Sequence, residues 1–327
     1  MTPRSHGGPD AQGSAPHDFS TCANPLGTCP GAWQAVQAAD PRRYPDPHST
    51  ALRLRLAAHH GVAPERVLLA ASASEFIQRI TAAALALHDG PVVVPAQAYG
   101  DYAAAAQAWG RTVVVADANT GHPAALRWCA DPGSPCGQDD PTPANPETAP
   151  TVLDRAYTPL RLTGSSPWSS DAGDGVFQLW TPNKALGLTG VRGAYAIAPR
   201  HALGPLLIRL RALEPSWPLG AHAVAMLNAW CEADTATWLA SALPALAQAR
   251  AALTAGLVQR GFAPRPGVAP FVCARVPARW CHAGPALREH GVAVRDCSSF
   301  GLPGHWRLNA LPAASCAALW RVLDAVA

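Results

Sequence analysis

From about residue 50 the chain alternates between two apolar patterns: short continuous apolar runs, and longer stretches whose apolar positions return at helical spacing. ALRLRLAAHHGV reads as a helix ended by Gly61, and RVLLAA after it as a short apolar strand. SASEFIQRITAAALAL is a long helical stretch opened by Ser72 and Glu75, which match the capping-box pattern S-x-x-E. Further strands are predicted at Val92–Val94, Thr112–Ala116, Leu126–Cys129, Thr151–Leu153, Val176–Trp180 and Ala194–Ala198, with AYGDYAAAAQAWG a helix between the first two. Apolar strands of this length, separated by helices and loops, indicate an α/β sheet covered on both faces.

The rest of the chain departs from that alternation. Pro, Asp, Thr and Asn crowd residues 131–150, where no periodicity survives, so a loop is expected. Helical spacing returns from Trp217 to Arg260, and from about Phe271 the order strand, helix, strand, strand, helix suits a small α+β domain. The first thirty or so residues, rich in Gly, Pro, Ser and His, read as an extended arm that depends on the rest of the protein for order.

With 327 residues, 49% of them hydrophobic, the chain can bury one large or two medium cores. A net charge of +3 with 14% charged residues gives no basic field of the kind that binds nucleic acid. No run approaches the roughly 18 apolar residues that span a bilayer, and the opening residues lack the apolar core of a signal peptide, so a cytoplasmic protein without a membrane role is expected. Nine scattered cysteines with no C-x-x-C spacing suggest free or buried thiols, not a disulfide framework or a zinc knuckle. His59 and His60 are the only adjacent histidines, and neighbours on a helix do not share a face, so no metal site is expected. The phosphate-loop, dinucleotide-binding, zinc-protease and nucleophile-elbow patterns are absent.

One count changes the picture. Of the 25 lysines and arginines, 24 are arginine and one, Lys184, is lysine. In a composition that supplies arginine wherever a positive charge is enough, a sole lysine points to chemistry arginine cannot do: its amine can lose a proton and condense with a carbonyl. Around it, LWTPNKALGLTGVRGAYAIA ends an apolar strand in Thr181-Pro-Asn-Lys184, and Arg192 follows just before another apolar strand. A hydroxyl, a lysine and an arginine at the mouth of a sheet suit a phosphorylated aldehyde, with Lys184 on the carbonyl and Thr181 and Arg192 on the phosphate.

This segment resembles the cofactor-lysine region of the fold-type I pyridoxal-phosphate enzymes, closest to the branch of histidinol-phosphate aminotransferase and threonine-phosphate decarboxylase. The resemblance runs through nearly the whole chain in the family's order. It implies a large domain with a mixed, mostly parallel sheet, a small C-terminal α+β domain, and pyridoxal 5'-phosphate bonded to Lys184. Asn183 stands where the family usually has Ser before its lysine. ASASEFI resembles the family's N-G-A-x-E phosphate loop, which implies that Ala73 and Ser74 bring backbone N–H groups and the positive end of a helix to the phosphate. In VVVPAQAYGDY, Tyr99 matches the aromatic that stacks on the cofactor ring, with Tyr102 packing behind it. TVLDRAY resembles D-E-A-Y: Asp154 keeps the pyridine nitrogen protonated and Tyr157 bonds the ring's phenolic oxygen, while Arg155 replaces the usual Glu. CADPGSPCGQ stands in place of N-P-N-N-P-T-G, with Ser134 where an Asn is expected to touch the same oxygen.

The chain ends carry further matches. RRYPDP resembles the segment whose tyrosine, here Tyr44, reaches the cofactor phosphate of a neighbouring subunit, which implies a homodimer. HGG at 6–8 and DFSTCANPLG at 18–27 resemble the N-terminus of threonine-phosphate decarboxylases and nominate His6 and Asn24 for the substrate phosphate. VAVRDCSSFGLPGHWRLNA resembles the family's C-terminal stretch, with Arg307 as carboxylate clamp and Arg295 facing the substrate phosphate. The expected organisation is an arm over 1–40 joining the small domain, a cofactor-binding domain over 41–216, and a linking helix with the small domain over 217–327. The expected activity is decarboxylation of L-threonine O-3-phosphate to (R)-1-aminopropan-2-yl phosphate in cobalamin biosynthesis. The alternatives are an aminotransferase acting on histidinol phosphate or another amino acid, and a non-catalytic binding partner.

Overall fold

A two-residue strand in the arm, β1 (His17–Asp18), comes first, followed by the helices α1 (Pro30–Ala38) and α2 (Thr50–His60). Gly61 closes α2 with φ 63°, a left-handed conformation open to glycine. The computed structural model describes residues 6–116, 124–140, 149–168, 170–201 and 204–326. Seven of the apolar runs pair into one sheet: β2 (Val67–Ala70), β3 (Val92–Val94), β4 (Val113–Val115), β5 (Leu126–Ala130), β6 (Thr151–Asp154), β7 (Phe177–Trp180) and β8 (Ala194–Ile197). Their order is β2-β8-β7-β6-β5-β3-β4, with β8 antiparallel to both of its neighbours and the other pairings parallel.

The strands are mostly apolar because both faces are covered. In β2, Leu68 and Ala70 pack with Phe76, Ile77 and Ile80 of α3 (Ala73–Leu85), Tyr102 of α4 (Gly100–Ala108), and Leu206 and Leu210 of α6 (Gly204–Ala212). Val67 and Leu69 pack on the other face with Leu52 and Leu56 of α2 and with Met226 and Leu227 of α7 (Ala221–Trp230). Residues 131–140 and 149–150 form no helix or strand, and a short helix, α5 (Ser170–Asp174), precedes β7.

The 27-residue α8 (Ala233–Gln259) leads into a four-stranded antiparallel sheet of order β12-β13-β10-β9. Its strands are β9 (Ala263–Pro264), β10 (Phe271–Arg275), β12 (Arg295–Asp296) and β13 (His305–Asn309). α9 (Gly284–Glu289), β11 (Val292–Ala293) and α10 (Ala313–Ala325) complete this smaller α+β domain. The arm is fastened to it. β1 pairs in parallel with β11, Asn309 donates its backbone N–H to Phe19 and its side-chain amide to Ala23, and Asp10 forms a two-pronged pair with Arg288. Phe19 is fully buried among Leu253, Leu257, Trp306 and Leu308, a burial worth about 1.5–3 kcal/mol toward holding the arm in place. All nine cysteines carry free thiols, seven of them buried. Among the described residues no helix is long and apolar enough to cross a membrane, and no cluster of three His, Cys, Asp or Glu could hold a metal ion.

Candidate active site

The parallel strands deliver polar side chains to one edge of the sheet. Asp154 ends β6, Thr181 to Lys184 follow β7, Arg192 precedes β8, and the turns after β2 and β3 lead into α3 and α4. In open α/β sheets such an edge is where ligands bind. These residues line a cavity of about 880 Å³, closed on another side by Arg295 and Arg307 of the small sheet and by His6 of the arm.

At the sheet end, Asp154 is 8% exposed and its carboxylate is held by neutral donors. The Tyr102 hydroxyl donates to Oδ2 at 2.5 Å and the Ala156 N–H to Oδ1 at 2.9 Å. Tyr102 is stacked on Trp128, with centroids 4.2 Å apart and planes 4° apart. Burial, and then the Asp154 charge, push its hydroxyl well above the ordinary tyrosine range, so it remains a donor. Tyr99 meets Tyr102 edge-on at 5.7 Å, and burial raises its pKa to about 12. Its ring centroid lies 6.1 Å from that of His6. The Lys184 amine sits 4.3 Å from the centroid of the Tyr157 ring.

An anion-binding corner lies nearby. Ala73 and Ser74 open α3 and line the cavity, bringing the positive end of that helix to it. The Ser72 hydroxyl accepts from the Glu75 N–H at 3.1 Å, while Glu75 Oε2 accepts from the N–H of Ala71, one residue earlier than a reciprocal capping box requires. The Thr181 hydroxyl, also in the cavity wall, is buried without a hydrogen-bond partner. Such a group is costly unless something satisfies it.

Arg295 and Arg307 form the opposite wall, as cross-strand partners on β12 and β13. Arg307 donates to the Ser134 hydroxyl at 2.6 Å and to the Ser20 carbonyl at 2.7 Å, and Arg295 donates to the Ser299 hydroxyl at 2.7 Å. Their guanidinium carbons lie 5.8 and 4.8 Å from the centroid of the Phe300 ring, Arg307 the farther. Burial, and then the Arg307 charge, hold Arg295 below the ordinary arginine range.

Of the residues singled out from sequence, the cavity gathers Lys184, Asp154, Tyr157, Ala73, Ser74, Tyr99, Ser134, Thr181, Asn183, Arg192, His6, Arg295 and Arg307. Asn24 and Tyr44 are not among its lining residues. Asn24 is buried, with its amide nitrogen donating to the Ala185 carbonyl and its oxygen accepting from the Leu26 N–H. It fastens the arm to the lysine loop instead of facing a substrate. Tyr44 is 80% exposed against Trp217 on the outer surface. Two further residues sit in the cavity but are engaged differently than expected. Asn183 directs its amide nitrogen to the carbonyls of Thr189 and Val191, bracing the loop before Arg192, and Ser134 spends its hydroxyl as an acceptor for Arg307.

The structure also explains Arg155. Asp131, which has no exposed surface, accepts from Arg155, Arg161 and Ser166, and its backbone N–H reaches the Asp154 carbonyl at 3.0 Å. Asp131 and Arg155 are partners in one buried ion pair at 3.2 Å. No local sequence pattern announces the pairing.

The aminotransferase class I and II family model matches residues 17–131 and 145–326. The chain belongs to this family. A histidinol-phosphate aminotransferase of Rhizobium meliloti (strain 1021) is 30% identical, over 94% of this chain and 92% of its own length. Other relatives at 27–29% identity carry the same name. Among solved structures, this aminotransferase-family chain superposes with TM-score 0.78 on a histidinol-phosphate aminotransferase from Sinorhizobium meliloti in complex with pyridoxal 5'-phosphate, at 21% identity over 94% of this chain and 89% of that one. It superposes with TM-score 0.79 on L-threonine-O-3-phosphate decarboxylase from Porphyromonas gingivalis, at 18% identity over 94% and 98%. Both share its fold.

Proposed function

We propose that this aminotransferase-family enzyme binds pyridoxal 5'-phosphate in the cavity and acts on the amine of a small phosphorylated substrate, with amino transfer as its reaction. The observation that carries the reading is the meeting, in one cavity, of the sole lysine, a helix N-terminus, a buried carboxylate and two arginines. The residues fit the cofactor. The unpartnered Thr181 hydroxyl, Arg192 and the start of α3 suit a phosphate, and Asp154, held by neutral donors, suits a cationic ring nitrogen.

Bound pyridoxal 5'-phosphate supplies an aldehyde for the amine and a ring that withdraws electrons from the substrate's α-carbon. Asp154 holds the proton on the ring nitrogen, and Tyr157 donates to the ring's phenolic oxygen. Ala73, Ser74, Thr181 and Arg192 hold the cofactor phosphate, Asn183 braces the Arg192 loop, and Tyr99 packs against the ring. Lys184 provides the amine that anchors the cofactor and then moves protons at the α-carbon. Arg307 takes the carboxylate of an amino-acid or keto-acid substrate, with Ser134 and the Ser20 carbonyl fixing its guanidinium, while Arg295 and His6 face the substrate phosphate. Tyr44 is proposed to serve the cofactor phosphate of a second copy in a homodimer. Nine free thiols suit a reducing compartment, and we place the enzyme in the cytoplasm.

Amino transfer leads because the relatives' names favour it over the decarboxylation expected from sequence. Decarboxylation of L-threonine O-3-phosphate, a step of cobalamin biosynthesis, stands as the second reading on a specific observation. His6 of the N-terminal arm, whose HGG segment resembles that of threonine-phosphate decarboxylases, lines the cavity. The test is to incubate the protein and cofactor with L-threonine O-3-phosphate or L-histidinol phosphate, with and without a keto acid. Product formed only with keto acid supports amino transfer, and carbon dioxide released from threonine phosphate without keto acid supports decarboxylation. No product from either substrate refutes both.

A further inference from the structure

Beyond the residues that touch cofactor or substrate, Asp154 has a partner whose hydroxyl the mechanism does not use. Tyr102 is 1% exposed and stacked flat on Trp128, with Tyr99 set edge-on against it, so its ring cannot turn. That clamp aims the hydroxyl at Asp154 Oδ2 at 2.5 Å, a short charge-assisted bond, while Oδ1 is taken by the Ala156 N–H. No other side chain bonds this carboxylate among the contacts described for it. Removing the hydroxyl leaves Oδ2 against a hydrocarbon edge, without the donor that aims it, and the carboxylate can rotate away.

We propose that Tyr102 is the positioning residue of this site: it keeps the Asp154 carboxylate oriented, so that its charge faces the cofactor's ring nitrogen. The proposal rests on the cofactor reading above and adds to it a cavity-wall residue whose hydroxyl is spent on Asp154. Tyr102→Phe is the cleanest perturbation, since it keeps the ring stacked on Trp128 and deletes one oxygen. Without an oriented carboxylate beside it the ring nitrogen gives up its proton at lower pH, and the cofactor is held less tightly.

The experiment compares wild type, Tyr102→Phe and Asp154→Asn loaded with ring-¹⁵N pyridoxal 5'-phosphate. The nitrogen signal and the cofactor dissociation constant are read directly, neither requiring turnover. The expected result is a protonated nitrogen in wild type, a displacement toward the unprotonated position in Tyr102→Phe, and affinity weakened about tenfold, as when a group supporting a ligand residue is removed. An unchanged nitrogen signal and affinity in folded Tyr102→Phe overturns the proposal. If wild type itself fails to bind the cofactor, it is the cofactor reading that falls. Should Tyr102→Phe not fold, proton NMR of the wild-type holoprotein decides. The hydroxyl proton of so short a bond resonates far downfield and disappears in Asp154→Asn, and its absence from wild type refutes the proposal.

Discussion

Replacing Gly7 with Ala tests the reach of the arm into the cavity with a single methyl group. A Cβ at Gly7 falls 2.2 Å from the Ser20 carbonyl oxygen and 2.6 Å from its carbon, far inside the roughly 3.5 Å at which nonbonded heavy atoms rest. One side must retreat by more than about 1 Å. Ser20 is the fixed side: it is 4% exposed, its N–H and hydroxyl are both held by Asp18 Oδ1 at 2.9 and 2.5 Å, and its carbonyl accepts from Arg307 at 2.7 Å. His6 and Gly7 are exposed, and the Gly8 N–H bond to the Ser20 hydroxyl at 2.8 Å is the contact that yields. The substitution therefore lifts His6 off the cavity and leaves the cofactor corner, built from other elements, untouched. If His6 contacts the substrate phosphate, the loss is that of one charged hydrogen bond, about 1.5–3 kcal/mol, or roughly ten- to a hundredfold in KM. The assay is steady-state turnover of L-threonine O-3-phosphate alongside cofactor affinity by fluorescence. A Gly7→Ala enzyme with wild-type KM for threonine phosphate refutes the reasoning and removes the observation that supports decarboxylation; loss of cofactor affinity in parallel refutes the assignment of the arm to the substrate end.

Three further outcomes follow from the same geometry. Since Lys184 is the sole lysine, borohydride reduction fixes the cofactor to one internal peptide in wild type, and Lys184→Ala abolishes that labelling, as mass spectrometry of the digest reads. Asp131→Asn leaves Arg155 and Arg161 without their shared buried carboxylate and costs about 3–5 kcal/mol in urea unfolding, and a double-mutant cycle with Arg155→Met returns a coupling well above that of an exposed pair. Burial holds His60 at a pKa of about 3, so as pH falls below about 6.5 the unfolded chain takes up a proton that the folded one refuses, and stability drops until pH nears 3; His60→Gln, which keeps an acceptor for the Tyr195 hydroxyl, flattens that part of the stability–pH curve by one proton.

What the sequence disclosed and what it withheld divide along the range of the interactions. The strands were legible because a sheet covered on both faces favours continuous apolar runs, a pattern that β2 shows in four consecutive residues and β3 in three. Ser72 was legible as a cap for the same local reason, and Lys184 because a composition depleted of lysine makes the one that remains conspicuous. The short helix α1 escaped because it carries no side-chain cap to mark its start: it begins on Pro30 after Cys29. Asn24 and Asn183 illustrate a deeper limit. Both stand in segments that match ligand-binding motifs, and in each the same amide that could meet a phosphate meets a backbone carbonyl, of Ala185 in one case and of Thr189 and Val191 in the other. Motif and spacing specify the donor; only the fold specifies the acceptor. The partnerships that set the site's electrostatics lie farther still from any sequence window, with Tyr102 and Asp154 separated by 52 positions, Arg307 and Ser134 by 173, and Arg307 and Ser20 by 287. Arg155, a departure from the family pattern, therefore looks like a simple loss in sequence, while in the structure it is half of a buried ion pair with Asp131, 24 positions away.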